Sequence, residues 1–279
     1  MIIEDTIHQA SQLLKKHNIA SHLLDAEIIL SEVMGVSKEF ILTNSRANIP
    51  KNKIKKYDIA IKRRLKNEPV AYIIGKKEFW SESFIVNNST LVPRPETELL
   101  IYKIISFFRE KKINILDIGT GSGCILLSIL KELKFSRGIG IDISKNAVQT
   151  AIINSKQLQL SNRTKFKVTS INKFSYGLYD LIVSNPPYIL SRDIKSLSKD
   201  IVDYEPLIAL NGGHDGLDLV KEVIYKSKTL LKRNGLLAIE IGYHQYKKVS
   251  CILGKNGFRE YHKEYDNKHN IRCIMSTKL

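Results

Sequence analysis

The 279-residue chain reads as an α/β protein in which a small helical domain precedes a mostly parallel, doubly wound sheet. Three observations predict this. Apolar residues recur at helical spacing over the first 75 or so positions. Beyond Pro95, short runs rich in Ile, Leu and Val alternate with helical stretches. A glycine-rich turn stands where the first of those runs meets the next helix.

Ile7, Ala10, Leu13 and Leu14 mark a first helix that breaks near Asn18. Ser21 is placed to cap a second, with Leu23, Leu24, Ile28, Ile29 and Val33, ending at Gly35. Ser37 caps a short third through Phe40 and Leu42, and Pro50 opens a fourth at a first-turn position. That fourth helix buries Ile54, Tyr57, Ile61 and Leu65. Its other face carries Lys51, Lys53, Lys55, Lys56, Lys62, Arg63, Arg64 and Lys66, read as a solvated surface. From Phe79 to Val92 the period becomes strand-like, with Asn87-Asn88-Ser89 as the turn signal of a hairpin joining two domains. The expected domains are therefore residues 1–76, a hairpin at 77–92, and 93–279.

In the second part, helices are expected over Thr97–Phe108, from the glycine turn through Leu130, over Lys145–Leu158 and over Leu217–Leu231. Strands are expected at Ile113–Ile118, Gly138–Ile143, Phe166–Val168, Tyr179–Val183, Leu236–Ile241, Phe258–Tyr261 and Ile271–Met275.

Composition narrows the class of protein. The 43% hydrophobic share suits a packed core and excludes a disordered or fibrous chain. The most apolar stretch, Leu99–Phe108, is short and carries Lys103, so no membrane span is expected. The acidic start Met1-Ile2-Ile3-Glu4-Asp5 is unlike a signal peptide. Cys124, Cys251 and Cys273 lack metal-ligand spacing and read as small core residues of a reducing compartment. No metal site is expected, and the expected location is the cytoplasm. The 44 Lys and Arg outnumber the 28 Asp and Glu, for a net charge of +16. A field of that sign suits nucleic acid or an acidic partner. Yet 33 Lys against 11 Arg, with 39 Ile, is also what AT-rich coding produces. Direct nucleic-acid binding is left open by composition.

The glycine turn is Asp117-Ile118-Gly119-Thr120-Gly121-Ser122-Gly123. Such a turn lets a ligand approach the backbone at the carboxyl end of a strand. A dinucleotide fingerprint needs a glycine three positions after Gly121, and Cys124 stands there. Asp117 beside the turn suits a cation or a hydroxyl better than a diphosphate. Asp142, ending the second strand, is placed to accept from two ribose hydroxyls. The combination resembles the S-adenosylmethionine site of the seven-stranded methyltransferases.

Asn185-Pro186-Pro187-Tyr188 follows the strand that ends near Val183. Consecutive prolines bar helix and sheet, leaving a stiff extended loop. The Pro186 carbonyl and the Asn185 side-chain oxygen are two fixed acceptors for the hydrogens of a planar –NH2 group. Accepting those hydrogens raises electron density on a poorly nucleophilic nitrogen, and Tyr188 can stack on the planar group.

With these motifs go Glu68-Pro69-Val70-Ala71-Tyr72-Ile73-Ile74-Gly75, Pro93-Arg94-Pro95-Glu96-Thr97-Glu98, Tyr204-Glu205-Pro206 and Gly212-Gly213-His214-Asp215-Gly216-Leu217-Asp218. In this order the chain resembles the protein-(glutamine-N5) methyltransferases that modify peptide chain release factors. The resemblance implies a seven-stranded Rossmann-like methyltransferase domain, with a helical N-terminal domain that helps hold a protein substrate. It implies S-adenosylmethionine against Asp117, Gly119, Thr120, Gly121, Ser122, Gly123, Asp142 and Asn185. It also implies a Gly-Gly-Gln glutamine at Asn185, Pro186, Pro187 and Tyr188, of which Asn185, Pro186 and Tyr188 carry catalysis. The Arg94–Glu98 segment is expected beside the cofactor, and a monomer is the expected state. One departure stands out. Where the family often has an Asp-Trp pair near the adenine, this chain has Asn172-Lys173. Asn172 can still bond the adenine amine, but Lys173 is a poor substitute for an aromatic stack. The rival readings are an adenine-N6 methyltransferase on DNA or RNA, which uses the same Asn-Pro-Pro-Tyr loop, and a noncatalytic RNA-associated module.

Overall fold

A computed structural model describes residues 1–279, which form two compact units. One comprises Met1–Lys76 with Ser198–Tyr204, the other Lys77–Leu197 with Glu205–Leu279.

The first unit holds α1 (Ile3–Lys16), α2 (His22–Met34), α3 (Lys38–Thr43), α4 (Lys51–Leu65) and α5 (Val70–Ile74). Ile3, Leu14, Ile29, Leu30, Ile41 and Tyr57 are its fully buried centre. The Ser37 hydroxyl caps α3 by accepting from Phe40 N at 3.2 Å. Ser21 does not cap α2; its hydroxyl donates instead to the Asp25 carboxylate at 2.8 Å. Pro50 lies one position earlier than expected, at the N-cap of α4. The basic face of α4 is only partly solvated. Arg64 is buried, and its Nε donates to Asp25 Oδ2 at 2.6 Å. Arg63 grips Glu68 through Nε at 2.8 Å and Nη2 at 2.5 Å, and Lys53 donates to the Val33 carbonyl. A guanidinium fork reaches carboxylates that helical periodicity cannot see.

The second unit opens, from Lys77 onward, with a hairpin of β1 (Lys76–Phe79, its first residue in the helical unit) and β2 (Glu82–Ile85). Its turn is not at Asn87–Ser89. Trp80 and Ser81, both at positive φ, make the connection, and Asn87–Thr90 is a separate turn closed from Thr90 N to Asn87 O. Phe79 and Phe84 anchor the hairpin in the core with rings 6.1 Å apart.

There follow α6 (Thr97–Phe108), β3 (Asn114–Ile118), α7 (Cys124–Glu132), β4 (Arg137–Asp142), α8 (Lys145–Gln157), β5 (Thr164–Val168) and β6 (Tyr179–Ser184). After them come α9 (Lys199–Val202), α10 (Asp218–Leu230), β7 (Leu231–Glu240), α11 (Tyr246–Lys255), β8 (Phe258–Tyr265) and β9 (Ile271–Lys278). Of these, α9 belongs to the first unit. The seven-stranded sheet has the order β5-β4-β3-β6-β7-β9-β8, parallel except where β9 runs antiparallel to both β7 and β8. Neighbouring residues feed opposite cores: Ile115 packs with α6 and α7, whereas Leu116 packs with α10 and α11. Both faces are covered, as a parallel sheet requires.

The direction of winding reverses between β3 and β6, which pair as Ile118↔Ser184. The next residues, Gly119 and Asn185, therefore leave the sheet side by side at the topological switch point, where open α/β sheets bind ligands. No helix is long and apolar enough to cross a membrane. Of the cysteines, Cys273 is buried and Cys124 partly so; Cys251 is exposed, against expectation, because it falls on the outer side of α11.

Candidate active site

Each side of the switch point is built by short-range chemistry. On the β3 side, the Gly119 and Thr120 N–H groups both donate to the Ile141 carbonyl, folding the turn over the end of β4. Gly119, Gly121 and Gly123 all have positive φ, a conformation that a Cβ makes costly. At Gly123 a Cβ would also press on Leu127 and Ala151 at 3.1 and 3.2 Å. Buried Asn154 donates to the Ser122 and Ile85 carbonyls and accepts from Ile85 N, tying the turn to the hairpin.

Asp142 shapes the same turn. Its Oδ2 accepts from Gly121 N and its Oδ1 from Ser144 N, both at 2.9 Å, and each oxygen keeps a lone pair. Asp117 is wholly buried; its Oδ2 accepts from the Thr120 hydroxyl at 2.6 Å, and its Oδ1 has no hydrogen-bond partner. Burial raises its pKa to about 7; the Thr120 bond opposes the rise and the charge of Asp142 adds to it.

On the β6 side, the Ser184 hydroxyl donates to the Ile118 carbonyl at 2.8 Å. Asn185 Nδ2 donates to Thr97 Oγ1 at 3.3 Å, and Thr97 Oγ1 donates to Glu240 Oε2 at 2.6 Å. Glu240, at the end of β7, is fully buried, and burial raises its pKa. Its Oε1 accepts from the Tyr188 hydroxyl at 3.3 Å and lies 3.9 Å from Arg272 Nη2. Arg272 also donates to the Tyr188 hydroxyl at 2.9 Å and stacks over its ring. Burial pushes the Tyr188 phenol up to about 12, so it stays neutral. The far end of the loop is held by Gln245, which donates to the Tyr188 and Gly216 carbonyls.

Between the two sides lies a cavity of about 240 Å³. Gly119, Thr120, Gly121, Ser122, Asp142, Asn185 and Pro187 line it. Asp117, Gly123 and Pro186 are buried and not part of the wall. No protein group donates to the Pro186 carbonyl. Tyr188 faces Glu240 and Arg272, not the cavity. Asn172 and Lys173 are exposed on a 3-10 turn, and the preceding Thr169, Ser170 and Ile171 line the wall instead.

Two comparisons with known sequences agree over the chain. Residues 5–75 match the model described as PrmC N-terminal domain, and residues 109–250 match a methyltransferase domain. A release factor glutamine methyltransferase of Clostridium acetobutylicum is 36% identical over all of this chain and 99% of its own length. Its counterpart in Buchnera aphidicola subsp. Baizongia pistaciae is 36% identical with both chains covered completely. The chain belongs to the release factor glutamine methyltransferase family.

Solved structures agree on the fold of the sheet domain. A methyltransferase from Pyrococcus furiosus superposes with a TM-score of 0.51 at 15% identity, over 70% of this chain and 88% of its own. A ribosomal protein L11 methylase from Lactobacillus delbrueckii subsp. bulgaricus gives 0.50 at 22% identity, over 67% and 81%. In this member of the release factor glutamine methyltransferase family, Pro93, Arg94 and Thr97 of the Pro93–Glu98 motif line the cavity. Arg94 pairs with Glu205, whose Oε2 also accepts from Val92 N at 3.4 Å. Sequence reasoning missed Glu240, Ile143, Ser144, Leu219 and Glu222. Only Ile143 carried a signal, as the apolar residue directly after Asp142 at the end of an expected strand.

Proposed function

We propose that the protein transfers a methyl group from S-adenosylmethionine to the side-chain amide nitrogen of the Gly-Gly-Gln glutamine in a peptide chain release factor. The observation that carries this reading is the emergence of Asn185 beside Gly119 at the switch point, both facing one cavity.

The residues fit such a donor. Wholly buried Asp117 has an unpartnered oxygen, and a cationic ligand bound beside it would favour its ionised form. Asp142 keeps acceptor capacity for ribose hydroxyls. Ile143, Ile171 and Leu219 offer apolar surface to a purine where Lys173 offers none. S-adenosylmethionine supplies an electrophilic methyl group on a sulfonium.

The chain's own part is to place and polarise the acceptor. Asn185 Oδ1 and the Pro186 carbonyl accept the two amide hydrogens, which turns the nitrogen lone pair toward the cavity. The new N–C bond would form as the S–C bond of the sulfonium breaks and a neutral thioether leaves; the nitrogen, made acidic, gives its proton to solvent, so no strong base is needed. Positioning of this kind can offset about 7–11 kcal/mol of a barrier. The carbonyl dipoles stabilise the positive charge that grows on nitrogen. The helical unit is assigned to holding the protein substrate, and the family's namesake substrate supports that role.

The test offers methyl-labelled S-adenosylmethionine with purified release factor, its Gln→Ala loop variant and duplex DNA in parallel. Label in the intact factor alone, lost with the Asn185→Ala enzyme, supports the reading. Label in DNA moves the assignment to an exocyclic adenine amine.

A further inference from the structure

A side-chain amide is nearly symmetrical in shape and opposite in polarity at its two ends. Turning Asn185 by half a rotation about its last torsion exchanges an acceptor for two donors. The proposed function, on which this inference rests, works with one of those orientations only. A second –NH2 group pointing at the acceptor would repel it.

Thr97 has one hydroxyl hydrogen. It is committed to Glu240 Oε2 at 2.6 Å, with Thr97 2% and Glu240 1% exposed. Thr97 Oγ1 can therefore only accept at its other side, and it accepts from Asn185 Nδ2 at 3.3 Å. That leaves Asn185 Oδ1 without a protein donor in a residue that lines the cavity. A carboxylate is the one side-chain group that accepts at both oxygens and donates at neither. Burial opposes that charge at Glu240, while the Thr97 hydroxyl on one oxygen, Arg272 Nη2 at 3.9 Å and the Tyr188 hydroxyl on the other oxygen all favour it. The polarity runs one way, from Asn185 through Thr97 to Glu240. The three residues come from the loop after β6, the first turn of α6 and the last position of β7.

We infer that Thr97 and Glu240 are positioning residues that fix the polarity of the Asn185 amide, and that they thereby select an –NH2 acceptor over a carboxylate of the same shape.

The test uses the full-length enzyme with Thr97→Val, which keeps the shape and removes both hydrogen-bonding roles. Thr97→Ser keeps the hydroxyl, and Glu240→Gln can donate back to Thr97. In steady-state assays with release factor, Thr97→Val and Glu240→Gln are expected to lose at least tenfold in kcat. KM for the factor and Kd for S-adenosylmethionine should change less than threefold. Thr97→Ser should recover kcat to within threefold of wild type. Independently of any acceptor, the Asn185 side-chain N–H signals, assigned with Asn185→Asp, should exchange with solvent at least tenfold faster in Thr97→Val than in wild type or Thr97→Ser. Wild-type kcat in Thr97→Val, equal loss in Thr97→Ser and Thr97→Val, or unchanged exchange overturns the relay. If the wild-type enzyme transfers nothing to release factor, the functional reading fails, while the exchange measurement still decides the relay.

Discussion

Gln245 and Tyr188 are joined by a hydrogen bond that a buried amide gives to a backbone carbonyl, at 2.9 Å, 57 residues apart in sequence. The same Gln245 nitrogen donates to Gly216 O at 3.0 Å, and its oxygen accepts from Gly242 N at 2.9 Å. One side chain thus links the Asn-Pro-Pro-Tyr loop, the Gly212–Gly216 loop and the end of β7. Gln245→Leu would leave three backbone groups unpartnered, at about 1–3 kcal/mol for each buried one. A fall in Tm together with a lower kcat is expected, read by thermal unfolding and by methyl transfer on the same sample. An unchanged kcat would mean that the loop holds its shape without Gln245.

Asn185→Ala removes a placed acceptor and little volume. By analogy with the loss of one preorganised hydrogen-bonding group, transfer should fall by about 10²–10³. Single-turnover transfer measures that fall, and calorimetry should find S-adenosylmethionine bound within a few-fold of wild type.

Asp117 couples the site to pH. Its folded pKa, about 7, lies above the ordinary 3.8, so the folded state holds a proton that the unfolded chain has lost. The stability from this group is fully present below about pH 3.8 and is lost as pH rises through about 7. Tm of the free enzyme should decline more steeply over that window than Tm of Asp117→Asn. Saturating S-adenosylmethionine, a cation, should flatten the wild-type curve. Parallel curves for the two proteins would show that Asp117 ionises without cost.

Arg64 and Asp25 form a buried pair at 2.6 Å in the helical unit. Removing one partner of such a pair costs about 3–5 kcal/mol, because the other charge stays buried. Arg64→Ala is expected to speed amide hydrogen exchange in α2 and α4 well before it affects the seven-stranded sheet. Equal acceleration in both would mean that the units unfold together.

Much of this molecule is legible in its sequence. Periodicity finds every strand of the sheet, with bounds off by up to five residues at the start of β7, and Thr97–Phe108 has the expected bounds. What escapes has local or long-range causes. The hairpin turns at Trp80 and Ser81, residues that rarely accept positive φ, while Asn87-Asn88 carries the stronger turn signal. Helix α11 lacks a side-chain cap and buries only Val249 and Leu253, too few apolar positions to announce it. At the site, Asn185 and the glycine turn can be read from spacing. Glu240 cannot, because its meaning comes from Thr97, 143 residues away. Tyr188 reads as a stacking surface, and the structure instead turns its hydroxyl to Glu240 and its ring to Arg272.

The helical unit is not one continuous stretch of chain. Ser198–Tyr204 belongs to it, and the Tyr204 hydroxyl donates to the Lys66 carbonyl at 2.9 Å. The polypeptide passes between the units after residues 76, 197 and 204. No single cut therefore separates two whole pieces. A gene truncated at residue 76 encodes a helical fragment missing one of its own parts, and the remainder carries that part as an orphan. A ribosome likewise finishes the helical unit only after it has made β3 to β6, so the N-terminal piece waits on the sheet domain for its last segment.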